Sequence, residues 1–209
     1  MSCHLLDRHC SSASGVMQNE PLTARRSFVR DERAESRAGG SPQLSAYAEF
    51  FRGASRLSLH KVLVDTGLKE SVAFGAIAAS NDFPIHVCAK LDNWYDELDL
   101  VWRQQRAPIA GLTRHGPLFR LERFAWERGR RVVFRGEHLW SRDCICHSLS
   151  GRREAVGTAS DLIAAGADWA EALAVSVPFA KPEGRPGNVA FESVGELSCN
   201  EPLYSWVIG

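Results

Sequence analysis

The sequence lacks a surplus of charge: 25 Lys and Arg are matched by 25 Asp and Glu, so the formal net charge is zero. Proteins that grip a phosphate backbone concentrate basic residues, so direct nucleic-acid binding is not expected. Runs such as Arg128-Gly-Arg-Arg131 and Arg152-Arg153 then read as solvated surface. No apolar run approaches the roughly 20 residues that a membrane helix requires, so no membrane association is expected. The N-terminus also lacks the apolar centre of a secretory signal, and the expected location is the cytoplasm. The familiar Cys-x2–4-Cys spacing of metal sites is missing. Cys3, Cys10, Cys88, Cys144, Cys146 and Cys199 are scattered through a chain too long for a small disulfide scaffold, and read as reduced thiols.

What is present fits a single domain with an arm. The chain has 209 residues, 44% of them hydrophobic and 24% charged, enough for one well-filled core. Residues 1–45, rich in Ser, Arg, Glu and Gly without apolar period, are expected to be a disordered arm. In that arm Cys3-His4 and His9-Cys10 form a mirror-image pair that lacks a second structured ligand pair. Residues 46–195 are expected to form the domain and 196–209 a tail.

Within the domain, Leu44, Tyr47, Phe51, Ala54 and Leu57 recur at helical steps, predicting a helix to about Thr66 that Gly67 ends. Val72–Ile77 and Ile85–Cys88 read as strands about a turn containing Asn81, Asp82 and Pro84. Leu91 to about His115 has helical period, broken at Pro108. Arg131–Phe134 is a third strand, residues 135–157 show no clear period, and Thr158–Ala172 is helical. Ala174–Glu192 carries two alternating runs, Val175, Val177 and Phe179 in one and Val189 and Phe191 in the other. They are joined by the turn-rich Lys181-Pro-Glu-Gly-Arg-Pro-Gly187, a pattern that predicts a β-hairpin. The total is five strands interleaved with helices.

Two groups of residues carry candidate chemistry. Asp143-Cys144-Ile145-Cys146-His147 is the densest cluster of reactive types. A Cys nucleophile there would need a histidine base folded against it, with His60, His86, His115 and His138 as candidates. A metal would need further ligands from elsewhere. Trp94 and Trp102 share one side of the helix that carries Tyr95 and Leu98, with Pro108 and Phe119 beyond it. These six are the candidate lining of a small-molecule pocket between helix and sheet.

The order of these features resembles the autoinducer-binding domain of LuxR-type quorum-sensing regulators. The resemblance rests on Ser176-Val-Pro-Phe179 and Gly187-Asn-Val-Ala-Phe191, and upstream on Trp94, Ala107-Pro-Ile-Ala110 and Pro117-Leu-Phe119. It implies an α/β (α+β) fold, an α/β/α sandwich around a five-stranded antiparallel sheet, GAF- or PAS-like. It further implies an acyl-homoserine lactone or other small apolar ligand, with Trp94 in the position that bonds the lactone carbonyl. Ala107 stands where the family has the Asp that accepts the ligand amide N–H, and an alanine offers no acceptor. The residues after 195 are too few for the family's helix-turn-helix. The implied function is therefore sensing or regulation through a homodimer, or a heterodimer with a LuxR-type regulator, with no catalysis, cofactor or metal. The alternatives are a Cys/His-dependent hydrolase and another GAF- or PAS-like binding module.

Overall fold

A computed structural model describes residues 56–105 and 107–209. The expected arm, its Cys-His pairs and the first part of the Leu44–Thr66 helix lie outside the described residues.

Lys61-Val-Leu-Val64 forms strand β1 rather than the end of a helix. Its apolar run is continuous because both faces are covered: Val62 and Val64 enter one core and Leu63 the other. Helix α1 (Lys69–Ser80) then crosses to β2 (Ile85–Val87), which lies parallel to β1. A 3₁₀ segment (Cys88–Trp94) and α2 (Tyr95–Gln104) cross back to β3 (Ile109–Arg114), parallel to β1 on its other side. The two crossovers run in opposite directions along the sheet. Same-handed connections therefore put their helices on opposite faces. The cores agree: α1 packs in one, while the 3₁₀ segment and α2 pack in the other.

Helix α3 (His115–Trp126) follows, then the long strands β4 (Val132–Ser141) and β5 (Cys144–Arg152). Helices α4 (Arg153–Ala164) and α5 (Trp169–Ser176), a short 3₁₀ turn (Val177–Phe179), β6 (Pro186–Val194) and β7 (Leu203–Ile208) complete the fold. The sheet has seven strands in the order β2-β1-β3-β7-β4-β5-β6. Only the β1 pairings are parallel; β3, β7, β4, β5 and β6 pair antiparallel in turn.

The α/β class and the helix layers on both faces agree with the sequence reading, but the five-stranded antiparallel sheet does not. The sheet is mixed because helical crossovers join β1, β2 and β3, and such connections yield parallel pairs. The expected hairpin is likewise replaced. Its first run, Ala174–Phe179, is the end of α5 and a 3₁₀ turn, and only its second run is a strand. The expected strand Val72–Ile77 lies inside α1. Pro108 leads into β3 and starts no helix. The segment expected as a tail carries β7, which sits at the middle of the sheet between β3 and β4.

The helices cover the sheet unequally. One face is covered by α1, α4 and α5 over a core that reaches across the sheet from β1 to β6. The other is covered by the 3₁₀ segment, α2 and α3, whose core takes side chains from β1, β3 and β7. There the β4-β5-β6 side is open, with Ser148 and Ser150 of β5 and Asn188, Ala190 and Glu192 of β6 exposed.

Candidate functional site

The pocket residues expected from the sequence separate into three places. Trp94, Leu98 and Trp102 are buried together in the second core, with Tyr95 packed against them. Trp94 is 1% exposed and the His86 ring stacks on it at 4.5 Å, so the space beside the indole holds the chain's own side chain. Burial lowers the His86 pKa. At the surface over this indole, Lys61 Nζ lies 5.8 Å from the Trp94 ring, and Glu97 receives both Lys61 (2.5 Å) and His60 (3.2 Å). Trp94 Nε1 has no hydrogen-bond partner among the described residues. Phe119 is half exposed on α3, against His115. Pro108 lines a cleft of about 850 Å³ with Leu57, Arg128, Lys181 and Gly209.

A different group is brought together on β4 and β5. Arg142 and Asp143 form a two-residue turn with φ of 46° and 71°, the twist that suits a tight hairpin. That turn fixes the register, and the register sets His138 directly opposite His147. Both point to the face beneath α4 and α5, His138 fully buried and His147 2% exposed. Their Nδ1 atoms are 2.8 Å apart. His138 Nε2 meets Ser205 Oγ of β7 at 2.9 Å, and His147 Nε2 meets Ser193 Oγ of β6 at 2.8 Å. Every ring nitrogen of the pair thus has a partner.

Because one Nδ1 must donate to the other, the chain runs in one of two directions, from Ser193 to Ser205 or the reverse. Either way both rings are neutral. Burial lowers the His147 pKa to about 4 and puts His138 well below its ordinary value, the neighbouring imidazole adding to the effect. Gly136 is what allows His138 and Ser205 to meet. A Cβ at 136 would run into Ser205 Oγ and come within 2.8 Å of Leu149 Cδ2 and 3.0 Å of His138 Nε2.

The Trp169 ring roofs the pair, 4.5 Å from His138 and 5.4 Å from His147, and Phe191 stacks on His147 at 4.9 Å. Trp169 opens α5, where Asp168 caps the helix by accepting from the N–H of Ala170 (3.0 Å) and Glu171 (3.2 Å). Two open clefts meet at this corner. One, of about 700 Å³, is lined by Ser160, Ile163, Ala164, Trp169, Phe191 and Ser193 among others. The second, of about 400 Å³, shares Asp168, Trp169 and Val194 and adds Glu70 and Lys69. Ser193 is thus the point where the buried chain of hydrogen bonds reaches open space.

The sequence reading named His138 and His147 separately but missed their pairing, because residues 135–157 show no clear period and the partner serines lie on distant strands. A signal was present, since Phe134-x-Gly-x-His138 and Ile145-x-His-x-Leu149 alternate with period two once histidine is counted with the buried set. The same alternation separates the residues of the Cys-His cluster. Ile145 and His147 point beneath the helices, and Cys144 and Cys146 point to the open face. The ligand atoms of Cys144, Cys146 and Glu192 come together there.

Comparison with protein-family models, with curated proteins and with solved structures gives no match for this chain.

Proposed function

We propose that the chain is a small-molecule-binding domain of sensing or regulatory type whose ligand sits between the α4–α5 corner and β6. The observation that carries this reading is the position of Ser193. Its hydroxyl is held on one side by a buried two-histidine chain ending at Ser205, and it lines a cleft of about 700 Å³. A polar group fixed from behind can meet a ligand without reorganising, and a few such groups among apolar walls is how small-molecule sites are built. Ile163, Ala164, Ala167, Trp169 and Phe191 supply the walls. The matching ligand has an apolar body and one hydrogen-bonding group, a description that an acyl-homoserine lactone meets. Binding only the native state, it stabilises the fold and any assembly built on it.

Ser193 beside His147 also has the outline of a nucleophile and its base. A general base works best with a pKa near the operating pH. At about 4, His147 is a weak base, and binding is favoured over catalysis. Hydrolysis by Cys144 or Cys146 is disfavoured for another reason, since strand alternation aims their sulfurs away from His138 and His147.

The test is thermal denaturation of the chain against acyl-homoserine lactones of graded length and a fragment library, with binders confirmed by ligand-observed NMR. At least one compound raises the melting temperature. Ala164→Trp, which fills the cleft from an exposed helix position, abolishes the shift, and Ser193→Ala weakens binding by about tenfold, the value of one hydrogen bond. The absence of any binder, or a binder unaffected by both substitutions, refutes the reading.

A further inference from the structure

We propose that Cys144, Cys146 and Glu192, on the open face of the sheet, form a binding site for a thiophilic divalent cation of the zinc class. The proposal is independent of the cleft, which lies on the other side of β5.

Two cysteines separated by one residue look wrong for a metal when judged by the spacing of loops and knuckles. On a strand the geometry is different, because residues i and i+2 share a face. Cys144 and Cys146 do so on β5, and the ladder puts Glu192 of the neighbouring strand directly opposite Cys146. The two sulfurs and a carboxylate oxygen lie within 4.8 Å of one another. Zinc holds sulfur at about 2.3 Å and carboxylate oxygen at about 2.0–2.2 Å, so two sulfurs on a tetrahedral ion are about 3.8 Å apart. The three atoms need to close by about 1 Å or less, which side-chain rotation supplies without moving the strands.

The surroundings suit such an ion. Both cysteines are half-buried, and Glu192 is exposed. Leu139, opposite Cys146, and Val194, opposite Cys144, are exposed apolar neighbours. Cys144 Sγ now donates to Ser141 O at 2.9 Å, and Cys146 Sγ to Glu192 Oε1 at 3.9 Å. On metal binding both thiol protons leave to solvent, and the two thiolates and the carboxylate take the cation. Three protein ligands leave a fourth position for water or an exogenous ligand, the pattern of exchangeable rather than closed structural sites.

The experiment is a Co²⁺ titration of the reduced full-length chain, followed by the thiolate-to-cobalt charge-transfer band, with Zn²⁺ competition. It is run on a Cys3→Ser/Cys10→Ser background, so that the N-terminal thiols contribute nothing. The expected result is a saturable band displaced by Zn²⁺, with release of two protons per ion. Cys144→Ser and Cys146→Ser each weaken binding by more than about 100-fold, beyond what outer-shell residues cost. Glu192→Gln weakens it less, and Cys88→Ser and Cys199→Ser leave it unchanged. All variants keep the metal-free melting temperature, because the side chains of Cys144, Cys146 and Glu192 lie on the open face and the partly buried Cys88 and Cys199 are changed by one atom. Absence of the band, or a band that survives the Cys144→Ser/Cys146→Ser double substitution, overturns the proposal.

Discussion

Acid should destabilise this protein well above the pH at which its carboxylates protonate, because two histidines are buried neutral. In the unfolded chain each imidazole takes up its proton near pH 6.5. In the folded chain His147 does so only at about 4, and His138 is also shifted well down. Between those values the unfolded state binds more protons, so stability falls as pH falls. For His147 alone the gap is worth roughly 3 kcal/mol, at about 1.4 kcal/mol per pKa unit. His138 adds to the slope, as does the smaller depression at His86. Against a typical stability of about 5–15 kcal/mol this is a large fraction. The acid-side carboxylate Glu97, whose pKa is lowered by its bond to Lys61, begins to act only below its ordinary 4.5 and does not obscure the window. The measurement is urea unfolding followed by tryptophan fluorescence at steps from about pH 7 to about 4.5. Histidine-selective ¹³C NMR of the native protein accompanies it. Unfolding free energy should drop steeply across this range while His147 stays neutral. A flat profile, or a His147 resonance titrating near 6.5, would refute the burial argument.

Four further substitutions test the packing on the two faces of the sheet. Gly136→Ala drives a methyl group into Ser205 Oγ and crowds Leu149 and His138 Nε2. The expected loss is about 1–3 kcal/mol in urea titration, from overpacking and an unpaired imidazole nitrogen. Asp168→Ala removes the cap of α5 and should cost about 1 kcal/mol, read as a lower melting temperature. Trp94→Phe and Trp206→Phe remove similar volume from the same core. Trp206 Nε1 donates to Thr113 Oγ1 at 3.1 Å, whereas Trp94 Nε1 has no partner among the described residues. Trp206→Phe should therefore cost about 1 kcal/mol or more beyond Trp94→Phe, and equal losses would contradict the assignment.

The errors of the sequence reading share a physical origin. Val72–Ile77 resembled a strand, yet α1 buries Glu70, Ser71, Phe74, Gly75 and Ala78, a helical face on which Phe74 is the one large apolar residue. Gly75 is used for contact, since a Cβ there would come within 2.6 Å of Val64 Cγ2. Ala174–Phe179 resembled a strand because α5 is buried nearly all round, through Ala170, Ala172, Leu173, Ala174 and Ser176. A short apolar run enclosed on every side carries no period by which helix and strand can be told apart. Where one face was wet the signal survived: the start of β4, Ile85–Val87 and the alternation of Val189 and Phe191 were all legible.

The same principle explains why the candidate sites were hidden. Periodicity arguments assign polar residues to the outside, but His138 and His147 occupy inward positions of β4 and β5. They can be inward only because each ring nitrogen is satisfied within the sheet, by the other histidine and by serines on β7 and β6. The partners Ser193 and Ser205 lie 46 and 67 residues away, on strands whose adjacency no local pattern reveals. Glu192 is likewise 46 residues from Cys146. What β5 brings together, polar chain on one face and thiols on the other, becomes visible only when β6 is in register beside it.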